Sequence, residues 1–233
     1  MSKYLLEIGV EELPYKFIPM AITQLETGFK AFFESNNVGY ENIKVMATPR
    51  RLAVIVSGLA NSQPDVEKVV KGPIATVAYD ADKNLTPAGL GFAKKNGVEP
   101  ADLYVEDNYL YAKISIKGKN TKELLQDNVP QIFAKLQGPH FMRWGTNDVK
   151  FSRPIRWVLS ILDSEEVKIT IIDKESSNIT NGHRFSTQNI VITNPDEYVE
   201  KLRNAHVIVV LRQLSIQTVY SLLRCTNMMQ DLL

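Results

Sequence analysis

The chain contains one cysteine, Cys225, among 233 residues. That excludes an internal disulfide framework and any zinc site built on several thiolates, and it fits a reducing compartment. No run of about eighteen apolar residues occurs, so no membrane span is expected. Met1–Glu7 places an acid where a secretory leader needs an unbroken apolar core, and the expected location is therefore cytoplasmic. Glycine and proline are few, 12 and 11 residues, which excludes collagen-like and disordered chains. Net charge is small as well: 27 Lys and Arg face 26 Asp and Glu, for a formal charge of +1. Any nucleic-acid surface must then be a local patch.

Familiar catalytic signatures are also missing. There is no Walker loop, no zinc-protease histidine pair and no nucleophile elbow. Gly89-Leu90-Gly91-Phe92-Ala93-Lys94 lacks the third glycine of a dinucleotide turn and follows no strand, so it reads better as a small-residue helix packed closely on a neighbour. His140, His183 and His206 lie far apart in sequence, and no metal site is expected from them. Cys225 has no placed base or cation and receives no nucleophilic role. Glu11 and Glu12 read as favourable charge near a helix N-terminus rather than as a catalytic pair.

What is present is ordinary globular material, 44% hydrophobic and 23% charged, with enough chain to bury a sizeable core. Tyr4–Val10 reads as a strand. Phe17, Ala21, Leu25, Phe29 and Phe32 recur at helical spacing. Ile43–Met46 and Leu52–Leu59 read as strands around the turn Thr48-Pro49-Arg50-Arg51. Asn61–Ile74, polar and carrying Pro64, Gly72 and Pro73, reads as a connecting loop. Thr86, Pro87 and Gly97 bracket a helix. Asp107-Asn108 suggests a hairpin between Leu103–Val105 and Leu110–Ile116. Asn120–Gln137 is amphipathic, with Pro130 inside it as a kink or break. Ile155–Leu162 and Val167–Ile172 read as adjacent strands. Asn194-Pro195-Asp196-Glu197 has the spacing of a capping box, opening a helix that ends near Asn204. Val207–Leu233 is apolar and hard to phase. Strands and helices mix without regular alternation, so the expected fold is α+β, with mixed, mainly antiparallel sheets and flanking helices.

The most informative stretch is Pro139–Trp157. Arg143, Lys150, Arg153 and Arg156 face one acid, Asp148, and are interleaved with Phe141, Trp144, Phe151 and Trp157. Arginine forks grip phosphates, and guanidinium and aromatic planes stack on unpaired bases. The same composition also makes a packed aromatic layer whose arginines pair elsewhere in the fold. Gly182-His183-Arg184-Phe185 repeats the flavour on a smaller scale. Arg50 and Arg51 form a third cluster, for which two solvated loop cations is the plainer reading.

Taken in order, several segments resemble one family. They are Leu5–Pro14, Ala47–Val54, Gln63-Pro64-Asp65, Lys71-Gly72-Pro73, Thr86-Pro87-Ala88 with Gly91-Phe92-Ala93, Met142–Gly145, Phe151–Trp157 and Gly182–Phe185. The chain resembles the N-terminal part of the beta subunit of bacterial glycyl-tRNA synthetase over about Lys3–Val209. The resemblance implies an alpha2beta2 heterotetramer. In it the alpha subunit activates glycine with ATP and Mg, and the beta subunit recognises and positions tRNA(Gly). It further implies a fold similar to the editing-type region of the phenylalanyl-tRNA synthetase beta chain, and no cofactor in this chain itself.

On that basis residues 1–209 form the N-terminal α+β region, as one body or two subdomains. Residues 210–233 depart from the family pattern, as a truncated product, a frame-shifted one or a domain fragment would. Candidate RNA-binding or interface residues are Arg143, Trp144, Arg153, Arg156, His183, Arg184, Arg50 and Arg51, with no catalytic residue. The expected role is tRNA positioning or docking of the alpha subunit. A pure scaffold and an editing-like deacylase are the alternatives. The deacylase rests on fold analogy alone, and no nucleophile–base pair supports it.

Overall fold

A computed structural model describes residues 1–78, 85–99, 102–144, 149–185 and 189–209. The expected departure at 210–233 lies outside them. The chain divides into two compact units, Met1–Asn61 with the segment from Asn120 onward, and Ser62–Lys119.

The larger unit is organised by β1 (Ser2–Val10), which is buried along nearly its whole length. β1 pairs antiparallel with β3 (Arg51–Leu59) on one side and with β9 (Ile155–Leu162) on the other. β2 (Asn42–Thr48) extends the sheet antiparallel beyond β3. Side chains of a strand alternate between its two faces, and β1 uses both. Tyr4, Leu6, Ile8 and Val10 enter the main core under α1 (Phe17–Ser35) and α4 (Thr121–Ala134). Leu5 packs on the opposite face with Met46, Ala53, Leu159, Ile161, Tyr198 and Leu202. Glu7 and Gly9 share that second face by parity.

The main core is rich in aromatic pairs, with Phe17, Phe133 and Phe141 around Phe151 at centroid separations of 4.7–5.7 Å. Such rings bury large apolar areas in edge-to-face and tilted contacts. The aromatic part of Pro139–Trp157 is therefore divided: Phe141 and Phe151 belong to the core.

The smaller unit is a three-stranded antiparallel sheet of β4 (Val66–Ile74), β5 (Leu103–Glu106) and β6 (Tyr109–Ile116), in the order β4-β6-β5. α2 (Ala75–Ala78) and α3 (Pro87–Asn96) complete it, and Leu103, Leu110 and Ala112 are buried with Ala78 and Ala93. The expected loop over Asn61–Ile74 is thus corrected, since its second half is a strand. Pro73, which lacks an N–H, falls where the β4–β6 register shifts between Lys71 and Ile74, a place where a strand tolerates proline. The hairpin turn is as read: Asp107 and Asn108 both have positive φ, 47° and 65°, as a type I′ turn requires. Gly89 is the close helix contact expected of it, because a Cβ there would come within 2.6 Å of the Ala78 carbonyl oxygen.

Two further expectations are corrected. Val167–Ile172 is not a strand beside β9; only Thr170–Ile171 is extended, as β11. The neighbours of β9 on that side are β10 (Glu165–Glu166) and β12 (Lys174–Ser177), the latter running parallel to it. Pro130 does not break α4, which is continuous around it. Short pairs complete the unit: β7 (Met142–Arg143) with β8 (Lys150–Phe151), and β13 (Ile179–Thr180) with β14 (Ile190–Val191). The capping box at Asn194 and Glu197 forms as read. It opens a 3-10 turn that runs into α5 (Tyr198–Asn204). The fold class is α+β with mixed, mostly antiparallel sheets.

Candidate nucleic-acid interface

Glu7 is wholly buried in an otherwise apolar strand. A carboxylate in such a place is tolerated only when its oxygens are saturated with donors. Trp157 Nε1 donates to Glu7 Oε1 at 2.5 Å and Thr180 Oγ1 donates to the same oxygen at 2.6 Å. The Tyr198 hydroxyl donates to Oε2, and Arg51 Nη1 lies 3.4 Å from that oxygen. Arg51 Nη2 donates to the Asn181 carbonyl at 2.9 Å. Burial, with the Glu7 charge next, pushes the Tyr198 phenol well above its ordinary range, so it remains a donor.

The strand register explains the assembly. Gly9 stands between Arg51 on β3 and Trp157 on β9. A Cβ on Gly9 would lie 2.0 Å from Trp157 Cε2, so only glycine lets the indole lie across β1. The Arg51 guanidinium in turn sits 5.7 Å from the Trp157 ring centroid.

Immediately beyond this hub opens a cleft of about 860 Å³, lined by Thr48–Arg51, Arg156, Trp157, Asn181–Phe185 and His206–Ile208, with Glu12 at its edge. Its arginines are paired. Arg50 Nη2 is 3.3 Å from Glu11 Oε2, Arg156 Nε is 3.2 Å from Glu11 Oε1, and Arg184 Nη1 is 3.6 Å from Glu12 Oε1. Backbone hydrogen bonds from Val10 to Arg50, from Glu11 to Pro154 and from Leu13 to Pro49 fix the acidic segment beside them. Glu11 and Glu12 are therefore not helix-terminal charges. α1 begins at Phe17 with no acid in its first turn. The Arg184 guanidinium also lies 4.5 Å from the ring centroid of Phe185, which is 79% exposed.

Of the candidates read from sequence, Arg50, Arg51, Arg156, His183 and Arg184 converge on this cleft. Arg51 is only 3% exposed and is spent on Glu7 and Asn181, so it is not the solvated cation expected of it. Arg153 is tied to backbone, its Nε donating to the Glu12 carbonyl and its Nη1 to the Ser152 carbonyl. Arg143 lies on the exposed β7, and Trp144 Nε1 donates to the Phe151 carbonyl at 3.0 Å. None of these last three lines the cleft. His206, which sequence held apart from His183, lines the same cleft, and the His183 N–H donates to the Ala205 carbonyl. Among the described residues no group of three or more His, Cys, Asp or Glu could hold a metal ion, and no helix is long and apolar enough to cross a membrane. Sequence reasoning missed Glu7, whose one signal was a charge inside an apolar run.

The family model described as glycyl-tRNA synthetase beta subunit matches residues 4–223, running past Val209, where the sequence reading ended the resemblance. The glycine–tRNA ligase beta subunit of Clostridioides difficile (strain 630) is 37% identical over 214 residues, covering 89% of this chain and 31% of that protein. Those of Pediococcus pentosaceus and Limosilactobacillus reuteri (strain DSM 20016) are 40% and 37% identical, covering 88% and 89% of this chain and 30% of each relative. The chain thus spans under a third of the length of these curated relatives. Over nearly all of its own length it belongs to the glycyl-tRNA synthetase beta subunit family.

Proposed function

We propose that this chain is part of the tRNA-handling beta subunit of a glycine–tRNA ligase, and that the cleft beside Trp157 docks tRNA phosphates. The observation that carries this is the convergence of Arg50, Arg156 and Arg184, from three separate segments, on one cleft. Each is held by a carboxylate in a half-exposed pair. Such pairs contribute about 0–1 kcal/mol, so an incoming phosphate displaces the carboxylate at small cost. Until then the carboxylates keep the guanidinium groups extended over the cleft. Phosphates accept the arginine fork in the same bidentate manner.

In this reading the segment is non-catalytic. Glycine activation with ATP and Mg belongs to a separate alpha subunit, which joins this one in an alpha2beta2 assembly. The membership of the family supports the ligase assignment.

The test is tRNA(Gly) binding across a salt series, with and without the alpha subunit. Arg156→Gln combined with Arg184→Gln should weaken binding and flatten the dependence of log K on log salt by about 1.5–2, near one counterion for each phosphate released. Unchanged affinity and slope would sink the proposal. If association with the alpha subunit is lost while tRNA binding persists, the cleft is a protein interface instead.

A further inference from the structure

Glu11 holds two arginines at once. Its Oε2 lies 3.3 Å from Arg50 Nη2 and its Oε1 lies 3.2 Å from Arg156 Nε. Arg50 comes from the turn between β2 and β3, and Arg156 from β9. Both line the cleft, whereas Glu11 is not among its described lining residues. Each nitrogen held by Glu11 is therefore withheld from the cleft. The grip is also incomplete. Glu11 takes a single nitrogen from each guanidinium, and Arg50 Nε is buried with no hydrogen-bond partner. An arginine fork is satisfied best by two parallel bonds to one anion, and neither pair provides them. Glu12, by comparison, meets one arginine, Arg184, at the longer distance of 3.6 Å. Nor are the Glu11 pairs needed to hold the segment in place. The Glu11 N–H donates to the Pro154 carbonyl at 3.2 Å, the Val10 N–H to the Arg50 carbonyl at 2.9 Å and the Leu13 N–H to the Pro49 carbonyl at 2.6 Å. Backbone bonds thus already join this stretch to both neighbours, and half-exposed ion pairs add little stability.

We infer that Glu11 sets the ligand specificity of the cleft, as a built-in competitor that small free anions fail to displace. The inference rests on the reading of the cleft as a phosphate site. A tethered carboxylate competes at an effective concentration in the millimolar range or above. Inorganic phosphate or pyrophosphate arrives untethered and reaches only one or two arginines, so it competes poorly. An RNA backbone brings several phosphates on one chain. Its contacts elsewhere in the cleft, with Arg184 for example, offset the loss of the Glu11 pairs. Such a filter has a use, because the ligase reaction proposed above runs on ATP and small polyphosphates are always at hand. Two guanidinium charges against one carboxylate still attract anions, so Glu11 tunes the cleft without closing it.

The experiment titrates pyrophosphate into the full chain by calorimetry and follows labelled tRNA(Gly) by anisotropy in parallel. Glu11→Gln keeps the size of the side chain and the backbone bonds around it. It should tighten binding of both ligands about fivefold, as expected when two exposed ion pairs are removed. Millimolar pyrophosphate, against chloride at matched ionic strength, should then displace tRNA from Glu11→Gln but not from the wild-type chain. The gain runs through the two arginines, so it should vanish once Arg50→Gln and Arg156→Gln are added. Circular dichroism melting checks that each variant folds. Unchanged pyrophosphate binding by Glu11→Gln would overturn the inference. Weaker binding would overturn it as well, making Glu11 a bracket that orients the arginines. So would a gain that survives loss of both arginines, since it would come from long-range charge alone. The pyrophosphate titration contains no RNA. If it behaves as expected while tRNA binding ignores every variant, the competitor stands and only the tRNA reading of the cleft falls.

Discussion

The two faces of β1 are built from the same nine residues and have opposite physics. Toward α1 and α4 the strand offers Tyr4, Leu6, Ile8 and Val10, all buried among apolar and aromatic neighbours. The far face starts as Leu5 in a second apolar cluster, then turns polar at Glu7 and bare at Gly9. The first face holds the unit together through area and shape, and any residue of similar volume serves. The second is held by direction, since each donor on Glu7 comes from a different element, and it opens into the cleft. Chemistry collects where the strand gives up apolar burial.

The largest expected effects pit the two faces against each other. Phe29→Ala should lower unfolding free energy by about 3–5 kcal/mol in urea titrations, through lost transfer energy and a cavity. Glu7→Ala should lose a similar 3–5 kcal/mol for a different reason, because Arg51 is left buried without its partner. Glu7→Leu paired with Arg51→Met separates the two causes. It should recover the part of the loss that comes from the unpaired Arg51, while Trp157, Thr180 and Tyr198 still lack their acceptor, whereas no second substitution of that kind rescues Phe29→Ala. A Glu7→Ala variant as stable as the parent would erase the distinction between the faces.

Next in size, Gly9→Ala should cost about 1–3 kcal/mol by overpacking, and it should shift Trp157 fluorescence as the indole is expelled from its seat. Arg156→Gln should change stability by less than about 1 kcal/mol, since its partner remains solvated. Its effect should appear instead in RNA binding, which distinguishes a working rim residue from a structural one.

The smallest effect is electrostatic. Glu197 is held down to about 2, first by the hydrogen bond from Lys201 and next by the Thr193 backbone N–H. Its folded value lies below its unfolded one, so the stabilisation is full above about pH 4.5 and fades as pH falls toward 2. Glu197→Gln should flatten the acid limb of a stability–pH curve slightly, lowering the neutral plateau a little while leaving stability near pH 2 nearly unchanged.

Local signals made much of this legible. Helical spacing announced α1, Thr86 and Gly97 bracketed α3, and Asp107-Asn108 set the hairpin. The capping residues at Asn194 and Glu197 were equally plain, because in each case the determinant lies within a few residues. β4 was hidden because Gly72 and Pro73 look like punctuation, and its partner β6 lies some forty residues on. β12 was hidden for a different reason, since its parallel pairing to β9 spans only two register positions. At the candidate site, residue types were visible but allegiances were not. Arg50 and Arg51 are adjacent in sequence and both reach the cleft, yet Arg50, in the turn, pairs with half-exposed Glu11, while Arg51, opposite Gly9 at the start of β3, is buried on Glu7. The pairing of Glu11 with Arg156 is likewise a consequence of β1 meeting β9.

Thr121 brings the larger unit's chain back to where it left. Its N–H donates to the Asn61 carbonyl at 2.9 Å and its hydroxyl to the Ala60 carbonyl at 2.5 Å. Within the smaller unit the Gln63 N–H reaches the Lys119 carbonyl at 3.0 Å. To a refolding molecule, a finished insert of this kind is a short tether rather than a long loop. β1 has to meet β9 across most of the chain, Glu7 opposite Leu159. The entropy of closing such a loop grows with the logarithm of its effective length. An insert that folds early shortens that search. Loosening the smaller unit therefore slows assembly of the larger one while leaving every native contact of its sheet in place.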